Sequence, residues 1–375
     1  PNAYNNLGMT LKKLGKLDES EVSLKKAIEL KSDFAEAYCN LGDTQTVLLK
    51  LEEAEKNLRQ AISLKPNYAD AFCNLGIALK QLGRLEEAER SLKKALVFKS
   101  NFSEAYNNLA VILKEQGKLE EAESNLKNAI IFKPNYSNAF SNMGVILQEL
   151  GKLEEAETSL RRAIVLRPGF AEAHNNLCAI LIELGRLEEA KTEAKKSIEI
   201  KSDFAGAYSN LGITLQEVGR LEEAEVNFKQ AITLKPNFAE PHNNLGGLFH
   251  SRGLMKKSLD CYLKAISLNP ENISYKWDFT INQLSKIYTS YEDYKKSLLR
   301  FEEELNKLNQ FITTENFNES AKAVGKFYPY YLAYFENDNR FLLEKHGELC
   351  HRVMKCWQLE KGIQSSNLIT NNDIA

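Results

Sequence analysis

Residues 1–34 read PNAYNNLGMTLKKLGKLDESEVSLKKAIELKSDF, and residues 35–68 follow the same plan, AEAYCNLGDTQTVLLKLEEAEKNLRQAISLKPNY. Shifted by 34 residues, the chain overlays itself for eight copies without insertion or deletion, and such a period is read before any motif. Leu7-Gly8 returns as Leu41-Gly42, Leu75-Gly76, Leu109-Ala110, Met143-Gly144, Leu177-Cys178, Leu211-Gly212 and Leu245-Gly246. Twelve places further on stands a small residue: Ser20, Ala54, Ala88, Ala122, Ala156, Ala190, Ala224 and Ser258. Another recurs as Ala27, Ala61, Ala95, Ala129, Ala163, Ser197, Ala231 and Ala265. Small residues at these spacings let two helix backbones approach closely.

Between these marks lies a hinge, Gly15-Lys16-Leu17 in the first copy, where glycine can take the left-handed conformation that ends a helix. Asp18-Glu19 then open a second helix and Lys25-Lys26 sit toward its end, as a helix dipole favours. Pro66, Pro134, Pro168, Pro236 and Pro270, with Ser32, Ser100 and Ser202 in other copies, stop that helix before the next unit. Each unit is therefore helix, turn, helix. One such hairpin cannot bury its own apolar face, so neighbours must stack into a continuous core. Leu49 alone departs from glycine at the hinge.

This pattern of Leu-Gly, Ala, Ala and Pro at 34-residue spacing resembles the tetratricopeptide repeat over residues 1–272. The resemblance implies an all-α fold, a right-handed superhelical solenoid of helix-turn-helix units. Residues 273–375 are expected to be a separate helical cap or linker. After Pro270 the register fails, since positions 7 and 8 of a ninth copy would be Phe279 and Thr280. Apolar residues at helical spacing return over 291–311 and 338–359.

Composition narrows the function classes. Of 375 residues, 49 are basic and 51 acidic, and the net charge of −2 offers no field to recruit nucleic acid or an anionic membrane. No apolar run approaches the ~18 residues of a spanning helix, and no leader precedes Pro1, where the chain opens inside a repeat. Six scattered cysteines do not make a disulfide framework and suit a reducing, cytoplasmic setting. His346, Cys350, His351 and Cys356 share one expected helix, but a paired CxxC is missing, and an amphipathic helix explains the run without a metal.

With about 100° per residue, positions 4, 7, 8 and 11 of each unit are expected to be buried and 2, 6, 9 and 13 to lie opposite. In tetratricopeptide proteins that opposite side lines the concave surface. Position 6 is asparagine in every copy: Asn6, Asn40, Asn74, Asn108, Asn142, Asn176, Asn210 and Asn244. Asparagine is a mediocre helix former, and its carboxamide matches the donor and acceptor of a peptide unit. A ladder of them could grip an extended backbone; shared descent or a bond to a neighbouring repeat would explain it as well. Position 9 is mostly apolar, and position 13 supplies a rim of Glu115, Glu149, Glu183 and Glu217. Position 2 adds Glu36, Asp70, Glu104, Glu172 and Glu240. The expected partner is an extended, neutral to basic polypeptide. A clamp for an acidic chaperone tail would need Lys or Arg at positions 2, 5 or 6, and no copy has them.

Asparagine at this position in every repeat also resembles the superhelical arm of the O-linked N-acetylglucosamine transferase family, where the ladder holds the acceptor polypeptide. The phrase Phe327-Tyr328-Pro329-Tyr330-Tyr331-Leu332-Ala333-Tyr334-Phe335-Glu336-Asn337-Asp338, with Glu348-Leu349 and Arg352-Val353-Met354, is similar to the linker before the catalytic domain in bacterial members of the SPINDLY-like class. Their two nucleotide-sugar lobes have no counterpart, because nothing after Met354 offers alternating strands or a glycine-rich phosphate loop. Most glycines belong to repeat positions 8 and 15, and no Ser/His/Asp set is grouped. The reading is thus a non-catalytic peptide-binding scaffold without cofactor or metal. Alternatives are the substrate-recruiting arm of a truncated or split glycosyltransferase, or a self-associating assembly scaffold.

Overall fold

A computed structural model describes residues 1–285, 288–313, 316–324, 329, 332 and 339–362, apart from the side chain of Asn318. Among these, sixteen helices pair into eight hairpins: α1 (Asn2–Lys13) with α2 (Leu17–Leu30), α3 (Ala35–Val47) with α4 (Leu51–Leu64), α5 (Ala69–Gln81) with α6 (Leu85–Phe98), and α7 (Ser103–Glu115) with α8 (Leu119–Phe132). The series continues with α9 (Ser137–Glu149) and α10 (Leu153–Leu166), α11 (Ala171–Glu183) and α12 (Leu187–Ile200), α13 (Ala205–Glu217) and α14 (Leu221–Leu234), and α15 (Ala239–Ser251) and α16 (Met255–Leu268). Four further helices follow: α17 (Ile273–Ile281), α18 (Tyr291–Phe311), α19 (Phe317–Ala323) and α20 (Arg340–Glu360). The chain forms two compact units, residues 1–200 with α1–α12 and residues 201–375 with α13–α20.

The turn inside each hairpin is set by backbone chemistry. Gly83 has φ +75°, its N–H donates to Lys80 O at 2.9 Å, and Arg84 N–H donates to Leu79 O at 3.0 Å. This pair of bonds is the Schellman closure, which needs a left-handed residue. Leu49 makes the same closure at φ +59°, with Lys50 N–H reaching Gln45 O at 2.9 Å, while its side chain lies exposed. No contact compensates the strain of a Cβ in that conformation. Leu49→Gly is therefore expected to stabilise the protein by about 1 kcal/mol, read as a higher denaturation midpoint. A lower midpoint would show that the turn is held by the leucine side chain.

The two helices of a hairpin meet through position 8. A Cβ on Gly42 would lie 2.5 Å from Leu58 Cγ, and one on Gly144 2.5 Å from Leu160 Cγ, so position 24 occupies the space that glycine vacates. Where position 20 is serine, its hydroxyl donates to the position-8 carbonyl: Ser20 Oγ to Gly8 O at 2.7 Å, Ser258 Oγ to Gly246 O at 2.8 Å. The buried arc of each first helix differs from the expected 4, 7, 8 and 11. In α5 the buried residues include Ala71, Leu75, Gly76, Ala78 and Leu79, so positions 3 and 10 join the core. Position 4 is only partly buried in most copies, as at Tyr38, Tyr106 and Phe140. A helix flanked by neighbours on several sides buries more than one amphipathic stripe.

Successive hairpins are joined by a plug the repeat pattern did not flag. The aromatic at position 34 packs against the small residue at position 27 and at position 3 of the next copy, as in Ala27, Phe34 and Ala37, and again in Ala163, Phe170 and Ala173. The cation at position 31 lies over the same ring, with Lys99 Nζ 4.0 Å from the Phe102 centroid. Ion pairs also link neighbours: Lys50 to Glu21 at 2.6 Å, Arg84 to Glu55 at 2.7 Å, Lys118 to Glu89 at 3.1 Å and Lys152 to Glu123 at 2.8 Å. Burial alone would raise the Glu21 carboxyl, but Lys25, Lys50 and Gln45 bring it down to about 2.

In the second unit the register outlasts the expected break at Pro270. Helix α17, capped by Asn272, whose side chain accepts from Tyr275 N–H, packs on α16 and α15 in the place of a ninth first helix. Asp278 holds position 6 there and accepts from Asn243 Nδ2 at 2.8 Å, and Thr280 at position 8 is buried. The sequence hid this because Leu-Gly has become Phe-Thr while the stacking geometry is kept. Helices α17 to α20 then share a core of their own, with Trp277, Phe301, Leu305, Leu349 and Val353 at its centre. Most of the aromatic phrase 327–338 lies outside the described residues, Pro329 and Leu332 excepted.

Candidate peptide-binding face

From Asn40 onward the position-6 asparagines are half-buried, and their amides are not idle. Asn40 Nδ2 donates to Asn5 Oδ1 at 2.8 Å, and Asn142 Nδ2 to Asn107 Oδ1 at 2.9 Å. Asn74 Nδ2 approaches Cys39 Sγ at 3.6 Å, and Asn108 Nδ2 approaches Cys73 Sγ at 3.8 Å. In each case position 6 reaches position 5 of the preceding repeat, 35 residues back. Of the alternatives open in the sequence, the bond to a neighbouring repeat is made: one N–H of the amide ties adjacent first helices. An amide has two N–H donors and a two-lone-pair oxygen, so one such bond leaves capacity for a ligand. Asn6 is exposed, while Asn176, Asn210 and Asn244 are half-buried like the others.

The signal for the inter-repeat bond was present but distributed. Position 5 is Asn5, Cys39, Cys73, Asn107, Ser141, Asn175, Ser209 and Asn243, mostly buried and always able to accept a hydrogen bond. Burial pushes the Cys39 and Cys73 thiols up to about 12, so they serve as acceptors and not as nucleophiles.

Position 9 lies beside this ladder. Met9, Asn40 and Asp43 line a cavity of about 240 Å³ together with Thr44 and the aliphatic part of Lys12, which pairs with Asp43. Further along, Ile77, Val111 and Val145 are half-buried and present apolar surface next to the amides.

The acidic rim is partly neutralised. Lys80 pairs with Glu115 at 2.9 Å and Lys114 with Glu149 at 3.0 Å, each from position 12 of the preceding repeat. Glu183 instead accepts from the Gln148 amide at 2.5 Å, a neutral partner where its counterparts meet a lysine. At position 2, Glu36 pairs with Lys65 at 3.1 Å and Glu104 with Lys133 at 2.6 Å. In the second unit Glu217 is exposed, but Glu240 is not a solvated rim carboxylate. Its Oε1 accepts from Ser209 Oγ at 3.1 Å, and burial raises its pKa against the pull of Ser209 and Asn244.

Of the histidine-cysteine run on α20, His346 is buried, Cys350 and Cys356 pack against the core, and His351 is exposed. His346 packs edge-to-face on Trp277 with centroids 6.1 Å apart, and Cys350 Sγ lies 3.7 Å from its Nε2. Burial lowers the His346 pKa and pushes Cys350 up to about 11. Among the described residues no three His, Cys, Asp or Glu side chains gather to hold a metal ion, and no helix is long and apolar enough to cross a membrane.

Hairpins of this geometry, closed by glycine and stacked through positions 3, 7, 8, 10 and 11, agree with the family comparison. Residues 1–211 match the family described as the Cilia and flagella-associated protein 70 C-terminal domain. The chain belongs to that family. Residues 205–238 and 239–272 each match a tetratricopeptide repeat family, so this family member is a tetratricopeptide protein through 272. No curated protein matches it at significance. Solved structures share its fold at low identity. A chain of the APC/C hetero-tetramer Cut9–Hcn1 is 15% identical over 73% of this chain, with TM-score 0.61, and this chain spans 54% of its length. A tetratricopeptide repeat protein from Parabacteroides merdae is 17% identical over 67% of this chain and 99% of its own, with TM-score 0.56. PilF of Pseudomonas aeruginosa is 22% identical over 55% of this chain and 94% of its own, with TM-score 0.50. The glycosyltransferase likeness finds no support in the matching families, which are repeat families alone.

Proposed function

We propose that this family member is a non-catalytic scaffold that holds an extended polypeptide along the first helices of its repeats. The observation that carries this reading is the position-6 amide. Its bond to the preceding repeat orients the carboxamide and leaves the second N–H and the oxygen of Asn40, Asn74 and Asn142 to meet a peptide group. A preoriented ladder loses little side-chain entropy on binding. Apolar position-9 side chains beside it supply contact area. Because Lys80 and Lys114 neutralise their glutamates, preference for a neutral to basic partner rests on Glu183 in the first unit and Glu217 in the second. The scattered cysteines, none in a disulfide, favour a reducing, cytoplasmic setting. In the same reading the residues after 272 cap the stack, with α17 covering the last hairpin.

The two kinds of acceptor at position 5 permit a clean test. Asn142→Ala leaves Asn107 Oδ1 buried without its donor and is expected to destabilise by about 1–2 kcal/mol. Asn74→Ala loses only a weak N–H···S contact, and Asn108→Ala loses such a contact and a long 3.5 Å bond from Asn107 Nδ2; each gains about 0.6 kcal/mol in helix propensity, so their stability should be level or improved. The Asn74→Ala/Asn108→Ala protein should nevertheless bind members of an extended-peptide array about tenfold more weakly, at ~0.5–1.5 kcal/mol per lost bond. Glu183→Gln should instead erode selection of basic peptides, with a loss that fades at high salt. Undiminished peptide binding by the double variant would make the ladder purely structural.

A further inference from the structure

A second surface stands out at the far ends of the second helices. Position 29 is polar in five of the eight copies: Glu29, Ser63, Glu199, Thr233 and Ser267. In the three consecutive copies of α6, α8 and α10 it is Val97, Ile131 and Val165, and these side chains are 78%, 67% and 68% exposed. No packing demand accounts for them. Beside two of them, Phe98 and Phe132 remain 47% and 46% exposed and stack on Phe72 and Tyr106, with centroids 5.6 Å and 5.8 Å apart. Single exposed apolar residues are ordinary, whereas a run repeated over neighbouring units marks an interaction surface.

The helix ends that carry this stripe hold charge of one sign, and the carboxylate beside them, Glu104, is taken up by Lys133 at 2.6 Å. Residues 92–101, 126–135 and 160–169 contain no Asp or Glu, whereas the matching stretches of the first and sixth copies carry Glu29, Asp33, Glu199 and Asp203. Lys94 and Arg162 lie three residues before Val97 and Val165, on the same helix face. Lys99 and Arg167 close the two helices, each over the following ring at 4.0 Å and 3.2 Å. Among the described residues none of these four cations makes an ion pair with a carboxylate, although many lysines and arginines of the chain do.

We propose that the C-terminal ends of α6, α8 and α10 form a docking surface for an acidic amphipathic helix of a protein partner. The apolar face of that helix would seat against Val97, Ile131 and Val165, and flanking carboxylates would meet Lys94, Lys99, Arg162 and Arg167. A flat anionic bilayer fits less well, because the same helices open with Glu86-Glu87, Glu120-Glu121 and Glu154-Glu155 about 16 Å away along the axis. A second copy would bring the same cations against these.

The test is a displayed library of 20-residue helices with leucines along one face and Glu, Lys, Gln or Ala elsewhere, panned on the full chain. Enrichment of glutamate flanking the leucines is expected. Selected peptides should lose at least tenfold in affinity to the V97S/I131S/V165S protein and to the Lys94→Glu/Arg162→Glu protein, with unchanged melting, and should weaken with salt. The Asn74→Ala/Asn108→Ala protein should bind them normally, which separates this surface from the amide ladder. Absence of glutamate enrichment, or peptides that bind the serine variant equally well, would overturn the proposal. So would flotation with phosphatidylcholine/phosphatidylserine vesicles, or concentration-dependent mass, if either is lost in the serine variant.

Discussion

Trp277→Ala is expected to cost about 3–5 kcal/mol and to release the segment after residue 272 to proteolysis. Trp277 is 1% exposed and fills the centre of the core shared by α17, α18, α19 and α20, edge-on to His346. Truncating a buried tryptophan loses its transfer free energy and leaves a cavity that four helices cannot close together. Among the described residues its indole Nε1 has no hydrogen-bond acceptor, so Trp277→Phe should be far milder, removing an orphan N–H and some volume. The readout is denaturation followed by circular dichroism, with limited proteolysis alongside. Because contacts are dense within a unit, the alanine variant should lose stability in residues 201–362 while residues 1–200 keep their own transition. If the segment were a loose tail, both variants would fall within about 0.5 kcal/mol of the parent. That result would remove the cap.

Ala194→Leu should destabilise the first unit by about 1–3 kcal/mol, and adding Cys178→Gly should recover much of the loss. Position 24 is leucine or an aromatic in every other copy, opposite glycine or, once, Ala110. A Cβ on Gly212 would sit 2.6 Å from Phe228 Cε1, which shows how closely the pair is matched. In the sixth copy the sizes are exchanged: Cys178 brings a thiol to position 8 and Ala194 makes room at position 24, both fully buried. Leucine against cysteine would overpack the contact. Glycine at 178 would relieve it while giving back about 1 kcal/mol in helix propensity. A double-mutant cycle measures the exchange, with a coupling of about 1–2 kcal/mol expected. Strict additivity would mean that the two residues do not share the space.

Much of the fold was legible because its causes are local. Gly15 and its equivalents can be read as turns from residue type alone, since a left-handed backbone disfavours a Cβ wherever it occurs. Glycine at position 8 with leucine sixteen residues on is a contact within one hairpin, and its spacing recurs intact. The solenoid follows, because hairpins with one uncovered apolar face must stack.

What stacking decided was hidden from the single repeat. Which side chains meet across repeats depends on an offset of 34 or 35 residues and on the angle between helices, neither of which is a property of one amphipathic helix. So position 6 looked outward by its helical phase, while in the stack its amide reaches the position-5 residue before it, as Asn40 does to Asn5. Lys80 and Lys114 neutralise Glu115 and Glu149 by the same offset. Likewise α17 stands as a ninth first helix although its Leu-Gly signature is gone, because Asn243 and Asp278 still meet 35 residues apart. By itself, then, the sequence determined the period, the hairpin and the turns, whose physics lies within one repeat. Which polar groups stay open on the surface was decided only by the tertiary structure, because neighbouring repeats consume some of them and leave others to solvent.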